Sequence, residues 1–149
     1  MQLTDTIRSV LNHKDHAVFS IPPVTSVFDA IEVMSEKEIG ALPVIEDGVL
    51  LGIVSERDYA RKVILKGKSS KHTEVREIMS SPVLTVTPDH NVEDCMRLMT
   101  SHRSRHLPVL ERGKVVGIVS IGDLVNWVIS AQAETILHLH SYIEGRYPG

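Results

Sequence analysis

The hydrophobic pattern of the chain changes between helical and extended spacing, and the same succession of spacings occurs twice. Apolar residues at i, i+3, i+4 and i+7 begin at Val27 and again at Val92, which predicts a helix with one apolar face in each half. Near-continuous apolar runs at 49–54 and 114–119 predict strands buried on both faces. The predicted elements are strands 18–21 and 83–86, helices from Val27 and Val92, strands 41–45 and 106–110, strands 49–54 and 114–119, and closing helices 58–65 and 123–131.

An internal repeat accounts for this doubled pattern. Leu42-Pro43-Val44 returns as Leu107-Pro108-Val109, and Gly52-Ile53-Val54-Ser55 returns as Gly117-Ile118-Val119-Ser120. One offset of 65 residues (107 − 42 and 117 − 52) aligns both motifs without a gap. One copy is too small to bury its own sheet. We therefore predict an α/β (α+β) fold in which two β-α-β-β-α repeats pack about a pseudo-twofold axis and share one core.

Turn and capping signals divide the chain further. Thr25 or Ser26 in the first copy, and Asn91 in the second, are candidate N-caps of the apolar helices. The turns before Gly48 and Gly113 have the glycine that a tight hairpin needs at positive φ. The predicted segments are an N-terminal helix at 1–13, repeat 1 at 14–66, a linker at 67–78, repeat 2 at 79–132 and a helical tail at 133–149.

Composition excludes several classes of protein. The chain has 149 residues, a usual size for a single domain, and its net charge of −3 does not fit a nucleic-acid binder. No apolar run approaches the roughly 20 residues that span a bilayer, and no secretory signal is evident at the N-terminus. A single cysteine, Cys95, cannot form an internal disulfide and suits a reducing compartment. We therefore expect a cytoplasmic protein that contacts neither nucleic acid nor membrane.

Sequence motifs for catalysis and metal binding are missing. No pair of histidines or cysteines has HExxH or CxxC spacing, and His138 and His140 diverge on a helix, so no metal site is predicted. No nucleophile elbow, phosphate-binding loop or Ser-His-Asp set is present. The sequence therefore predicts a protein that is not an enzyme.

The chemistry that the repeat does offer lies where its third strand meets its closing helix. Ser55-x-x-Asp58 and Ser120-x-x-Asp123 stand at this corner in the two copies. A helix N-terminus favours anions, a serine hydroxyl can bond a phosphate or sugar oxygen, and an ionised aspartate suits the 2′- and 3′-hydroxyls of a ribose. The same spacing is also nearly a capping box, and for one copy alone the capping interpretation is favoured about two to one.

The two copies differ just before their central strand. Copy two has His102-Arg103-Ser104-Arg105-His106, whose cations predict charge-assisted bonds to phosphate; the alternative is a solvated cationic helix end that stabilises its own carbonyls. Copy one has Ile39, Gly40 and Ala41 among the matching positions, which suits a flat adenine lying against the backbone. We therefore expect two unequal pockets.

Together, the duplicated Leu-Pro-Val strand and the Gly-Ile-Val-Ser-x-x-Asp corner resemble a tandem pair of CBS domains, the modules named after cystathionine beta-synthase. The resemblance covers roughly 14–131 and is closest to free-standing bacterial signal-transduction pairs. It implies a regulatory module that binds an adenine nucleotide (AMP, ADP, ATP or NAD(H)) in the cleft between its copies. It also assigns ribose binding to Asp58 and Asp123, and phosphate or ribose contacts to Ser55 and Ser120.

In such pairs each pocket draws on both copies, which yields a set of candidate residues. Lys14 or His16 is a further candidate for a phosphate contact. One expected pocket combines Ser55, Asp58, Ser80, Ser81, Val83, Ser104, Arg105 and His106, with Arg103 nearby. The other combines Ser120, Asp123, Lys14, His16, Val18, Ile39, Gly40 and Ala41.

The resemblance also bears on partners. CBS pairs usually assemble as dimers, so a homodimer is expected, together with a regulated protein that the sequence does not identify. The alternative function is an interaction scaffold, or a modulator of thioredoxin-type redox enzymes, that requires no nucleotide.

Overall fold

The computed structural model describes residues 3–14 and 18–143, with side chains to residue 137 except those of residues 134 and 135. His16, a candidate site residue, lies outside this part of the chain. The helices are α1 (Ile7–Asn12), α2 (Val27–Lys37), α3 (Glu56–Tyr59), α4 (Val92–His102) and α5 (Ile121–Ile143), and the strands are β1 (Ala41–Glu46), β2 (Val49–Ser55), β3 (His106–Glu111) and β4 (Lys114–Ser120). A π-helical turn, Ala60–Ile64, continues α3, and a 3₁₀ turn forms at Val75–Glu77.

The strands form two hairpins, one in each repeat. β1 pairs with β2 in one two-stranded sheet and β3 pairs with β4 in the other. The turns are Asp47-Gly48, at φ 52° and 78°, and Arg112-Gly113, at φ 54° and 77°. Two successive residues at positive φ match the twist of the flanking strands, and glycine takes the second of these positions without steric cost.

The first predicted strand of each repeat is reduced to a single bridge. Ile21 forms a parallel bridge with Val44, and Val86 forms one with Val109. The other predicted elements form, and the caps of α2 and α4 are Ser26 and Asn91, whose side chains accept from the N–H groups of Asp29 and Asp94. The mixed helix and strand fold predicted from the sequence is therefore confirmed, with less sheet than expected.

The chain divides into two compact units, which do not coincide with the sequence repeats. The Asp58 unit comprises Ala17–Thr85 and Leu110–Val116. The Asp123 unit comprises Met1–His16, Val86–Val109 and Gly117–Gly149. The N-terminal segment is thus part of the unit that contains most of repeat 2, and the linker is part of the unit that contains repeat 1.

Each unit has a core of aliphatic residues at positions that correspond across the repeat. Val27, Met34 and Leu42 are no more than 1% exposed in the Asp58 unit, and Val92, Met99 and Leu107 are no more than 4% exposed in the Asp123 unit. Cys95 is fully buried in the latter unit, and burial together with Asp94 raises the pKa of its thiol to about 11. The cysteine is therefore a core side chain, as its place on an apolar helix face predicted.

The linker is more than a polar connection. Val75 and Ile78 are 0% and 1% exposed, and the N–H of Val75 donates to the carbonyl of Thr25 at 2.8 Å. In the Asp123 unit the N–H of Ile7, which is also fully buried, donates to the carbonyl of His90 at 2.8 Å. Residues around 75–79 and 7–11 are therefore structural counterparts, at an offset of 68 residues (75 − 7) instead of 65. We infer that the linker is required for the core of its unit.

These two segments also contact glycines that correspond in the repeat. A Cβ added to Gly52 would lie 2.6 Å from the sulfur of Met79 and 2.9 Å from the carbonyl oxygen of Ser80. A Cβ added to Gly117 would lie 2.7 Å from Cδ2 of Leu11. Both strands thus need glycine so that the covering segment can approach their backbone.

Candidate functional site

The Asp58 corner is a reciprocal capping box at the junction of β2 and α3. The N–H of Ser55 donates to Oδ2 of Asp58 at 3.0 Å, and the N–H of Asp58 donates to Oγ of Ser55 at 3.2 Å. The Ser55 hydroxyl donates to the same carboxylate at 3.1 Å. The Asp58 side chain is only 12% exposed. The capping interpretation of Ser-x-x-Asp is therefore correct for the structure of this corner.

A lysine adds a contact that a helix cap does not need. Lys62 Nζ lies 3.1 Å from Oδ1 of Asp58, one turn along the chain, and donates to the carbonyl of Ile78 at 2.8 Å. The carboxylate thus has serine donors on one oxygen and an ammonium on the other. Because the lysine also bonds the linker carbonyl, it joins the corner to the segment that covers β2.

The Asp123 corner repeats this arrangement with a lysine from a different place in the chain. The N–H of Ser120 donates to Oδ2 of Asp123 at 2.8 Å, and the N–H of Asp123 donates to Oγ of Ser120 at 3.1 Å. Lys14, 109 positions away, donates to the same Oδ2 at 2.6 Å and to the carbonyl of Ile118 at 2.8 Å. The predicted grouping of Lys14 with Asp123 is thus present as a direct ion pair.

A backbone carbonyl directly before β1 or β3 accepts from the first N–H group of the helix at each corner. The N–H of Glu56, first in α3, donates to the carbonyl of Gly40 at 3.1 Å, and the N–H of Ile121, first in α5, donates to the carbonyl of Arg105 at 2.9 Å. Together with the serine caps, these bonds occupy two of the first three helical N–H groups at each corner. The unpaired N–H groups that were expected to meet an anion are therefore largely used internally, and phosphate contacts have to come from side chains.

The basic segment of repeat 2 lies beside the Asp123 corner. Arg103 follows α4 as its C-cap, in the left-handed region at φ 52°, and the hydroxyl of Ser104 donates to the carbonyl of His106 at 3.0 Å. Burial lowers the pKa of His106; Asp123 opposes this shift, and Lys14 and Arg105 reinforce it. The side chains of Arg103 and Arg105 are exposed, and within the described residues neither guanidinium has an acidic partner. Cations therefore collect around one corner carboxylate.

Among the remaining candidates, Gly40, Ser80 and Ser81 contact α3 or β2, the elements that form the Asp58 corner. Ser80 forms a two-bond antiparallel bridge with Ile53 on the edge of β2, and the Ser81 hydroxyl donates to the carbonyl of Leu51 at 2.8 Å. Ala41 is buried at the start of β1, Ile39 and Val83 are half-buried, and Val18 is exposed. Gly40 is close to the Asp58 corner through its carbonyl; the expected combination of residues from both copies into pockets stays a prediction.

Sequence reasoning missed Lys62 as a site residue. From sequence alone, Arg57, Arg61 and Lys62 are most simply interpreted as a solvated helix face, and Trp127, which corresponds to Lys62 in repeat 2, as an apolar anchor. Trp127 instead is buried, with its indole N–H 3.2 Å from Asp5 and its ring 5.1 Å from that of His13. The missed signal is the i, i+4 spacing of Asp58 and Lys62, which predicts an ion pair on a helix.

Neither a metal cluster nor a membrane-spanning helix occurs in the part of the chain that the structure describes. Among the side chains that the structure describes, which end at residue 137 and exclude 134 and 135, no group of three or more His, Cys, Asp or Glu is placed to hold a metal ion. No helix in that part of the chain is long and apolar enough to cross a membrane.

The fold and the two corners together define a tandem α/β repeat protein. Each repeat has its own corner aspartate, which forms a helix cap with a serine and an ion pair with a lysine. The sequence model of the CBS domain matches residues 7–65 and 75–130, and the chain belongs to the CBS domain family. Members of this family are in general regulatory, non-catalytic modules.

Known relatives support this assignment over most of the chain. The mitochondrial CBS domain-containing protein CBSX3 of Arabidopsis thaliana is 43% identical over 127 residues, which are 82% of this chain and 62% of that protein. A CBS-domain protein from Burkholderia ambifaria MC40-6, assigned to signal transduction, has a TM-score of 0.82 and 48% identity over 85% of this chain and 96% of its own. The structure of CBSX2 in complex with AMP has a TM-score of 0.69 and 29% identity over 86% and 98% of the two chains.

Proposed function

We propose that this chain is a non-catalytic regulatory module that binds an adenine nucleotide (AMP, ADP, ATP or NAD(H)) through its corner aspartates. Asp58 and Asp123 accept the hydroxyls of the ribose, and Ser55 and Ser120 contribute a phosphate or ribose contact. The AMP complex of CBSX2, at 29% identity, supports an adenine nucleotide as the ligand class.

The observation that carries the proposal is the excess of polar contacts at the two corners over what a helix cap requires. Ser26 and Asp29 have the same spacing at the start of α2, where Ser26 caps the helix, yet Asp29 is exposed. The corner carboxylates are instead 12% and 22% exposed and each pairs with a lysine. An ionised carboxylate held in this way can only accept, which matches a diol.

Cations near Asp123 supply the complementary contact for phosphate. Arg105 is exposed and its carbonyl accepts from the N–H of Ile121 at this corner, and the exposed Arg103 lies two positions earlier in the chain. Charge-assisted bonds of this type contribute about 1.5–3 kcal/mol each. Two or three would supply a large part of the roughly 8 kcal/mol that corresponds to a micromolar dissociation constant.

Isothermal titration calorimetry tests this proposal. AMP, ADP, ATP, NAD and NADH are titrated into wild type, Asp58→Asn, Asp123→Asn and the control Asp29→Asn, which alters the same spacing at an ordinary helix start. We expect binding by wild type and control, and in each corner variant at least a tenfold loss of affinity at the altered corner with the other corner retained, because the Asn amide donates where the ribose needs an acceptor. Absence of binding by wild type at about millimolar nucleotide, or equal affinities for all four proteins, contradicts the proposal.

Self-association of the chain is a second proposal, favoured by the surface of α5. Val125, Ile129 and Ile136 recur at helical spacing on α5 and are 41%, 56% and 65% exposed. Exposed apolar patches of this kind mark protein contacts. The test is mass measurement by light scattering of wild type, Ile129→Glu/Ile136→Glu and the control Val24→Glu, whose valine is 66% exposed elsewhere. A dimer that only the α5 variant converts to a monomer supports it, and a monomeric wild type rejects it.

A further inference from the structure

Each corner carboxylate is already occupied by an ammonium group, and this bears on which ligands bind there. At the Asp123 corner the same oxygen, Oδ2, accepts from the N–H of Ser120 and from Nζ of Lys14. The serine bond is part of the helix cap and survives ligand binding. The lysine bond is made by a side chain that is 33% exposed and comes from a segment outside repeat 2. A ribose diol that bonds both carboxylate oxygens needs Oδ2 as well as Oδ1, and Lys14 is the contact on Oδ2 that it has to replace.

The ammonium that leaves Asp123 needs another anion. A nucleoside brings hydroxyls to the carboxylate but no charge for the lysine, so the displaced ammonium loses its ion pair. A nucleotide brings both, because its phosphate can accept the bond that the carboxylate gives up. The surroundings disfavour a lysine without an anion, because Arg105, a second cation, lies at the same corner.

From this geometry we infer that Lys14 selects nucleotides over nucleosides by exchanging Asp123 for the phosphate of the ligand. This inference rests on the proposed function and adds a residue that determines specificity at one of its two corners. Lys62 differs from Lys14 as a partner of a corner aspartate. It lies one helical turn from Asp58 on the same helix, and its side chain is 44% exposed.

Calorimetry with adenosine and AMP tests the exchange in an Asp58→Asn background, so that the Asp123 corner is the intact one. The variants are Asp58→Asn alone, with Lys14→Met, and with the control Lys68→Met, which removes an exposed charge elsewhere. Lys14→Met should raise adenosine affinity about fivefold, because the competing ion pair is lost. It should lower the ratio of AMP to adenosine affinity about tenfold or more, because the phosphate loses a charge-assisted partner. The control should change neither.

Salt dependence gives a second measurement that needs no variant. Screening weakens the Lys14–Asp123 pair, so adenosine, which is neutral, should bind wild type more tightly as salt rises, while AMP binds more weakly. Emission of Trp127, the one tryptophan of the chain, follows binding at this corner because its ring packs against His13, beside Lys14.

The outcomes separate this inference from the function on which it rests. Unchanged or weaker adenosine binding in the Lys14→Met protein, with AMP still bound by wild type, overturns the exchange and leaves the module intact. AMP binding by wild type that Asp58→Asn abolishes also overturns it, since the Asp123 corner would then not bind. Failure of wild type to bind any adenine compound removes the proposed function itself.

Discussion

Replacing Asp58 by alanine tests whether the corner carboxylate is held as the structure shows. The substitution removes the acceptor for the N–H and hydroxyl of Ser55, at 3.0 and 3.1 Å, and the partner of Lys62 at 3.1 Å. Each hydrogen bond of this kind contributes about 1 kcal/mol net. Lys62 is 44% exposed, so its ion pair adds less than about 1 kcal/mol. We expect a loss of about 2–3 kcal/mol in the free energy of unfolding.

The assay is urea unfolding followed by circular dichroism, with Asp29→Ala as the matched control. Asp29 occupies the same position after a serine cap but is exposed, so its removal should cost no more than about 0.5 kcal/mol. A domain of this size is usually stable by about 5–15 kcal/mol, so Asp58→Ala should remain folded enough for binding measurements. If the two variants lose the same amount, or Asp58→Ala loses less than about 0.5 kcal/mol, the reasoning about the corner is wrong.

Three further predictions concern the covering segments and His106. Gly52→Ala should lose about 1–3 kcal/mol of stability, because the new methyl group meets the backbone oxygen of Ser80. Gly117→Ala should lose less, because its methyl group meets a side-chain methyl group of Leu11. Equal urea midpoints for the two variants would contradict this. Ile78→Ala should lose about 2–5 kcal/mol because the side chain is 1% exposed, whereas a polar linker predicts almost no loss in the same assay. Burial lowers the pKa of His106 below 6.5, so the unfolded chain binds its proton first as pH falls. The stability that neutral His106 contributes should be complete above about pH 6.5 and should decline as pH falls through the folded-state pKa. His106→Asn should therefore reduce the difference between the urea midpoints at about pH 7.5 and pH 5.5. The control His102→Asn, at an exposed position, should not reduce it.

The ligand-binding and stability predictions meet at the same residues. A corner aspartate caps a helix and pairs with a lysine, and the proposed ribose contact gives it a functional role besides these two structural ones. Asn at this position keeps an oxygen for the serine donors, so Asp→Asn is the better variant for binding and Asp→Ala is the better one for stability. Comparing both variants separates loss of the fold from loss of the ligand.

Local patterns in the sequence were sufficient to predict most elements of the fold. The helices at 27–37 and 92–102, the two hairpins and the caps Ser26 and Asn91 follow from apolar spacing, turn glycines and capping residues. Such signals lie within a few residues of each other, and the repeat doubled each of them. The Ser-x-x-Asp corners were recognisable for the same reason, and their capping geometry was one of the two interpretations that the spacing allowed.

Only the tertiary structure decided which distant segments complete each unit and which lysine meets each carboxylate. Val75 and Ile78 are buried although they lie in a segment with few apolar residues, and their counterparts near Ile7 are displaced by three positions from the repeat register. Lys14 reaches Asp123 across 109 positions of sequence. No local sequence pattern indicates the buried linker residues or the pairing of Lys14 with Asp123. Both depend on where a distant segment lies along the edge of a strand, and packing of the whole unit sets that position.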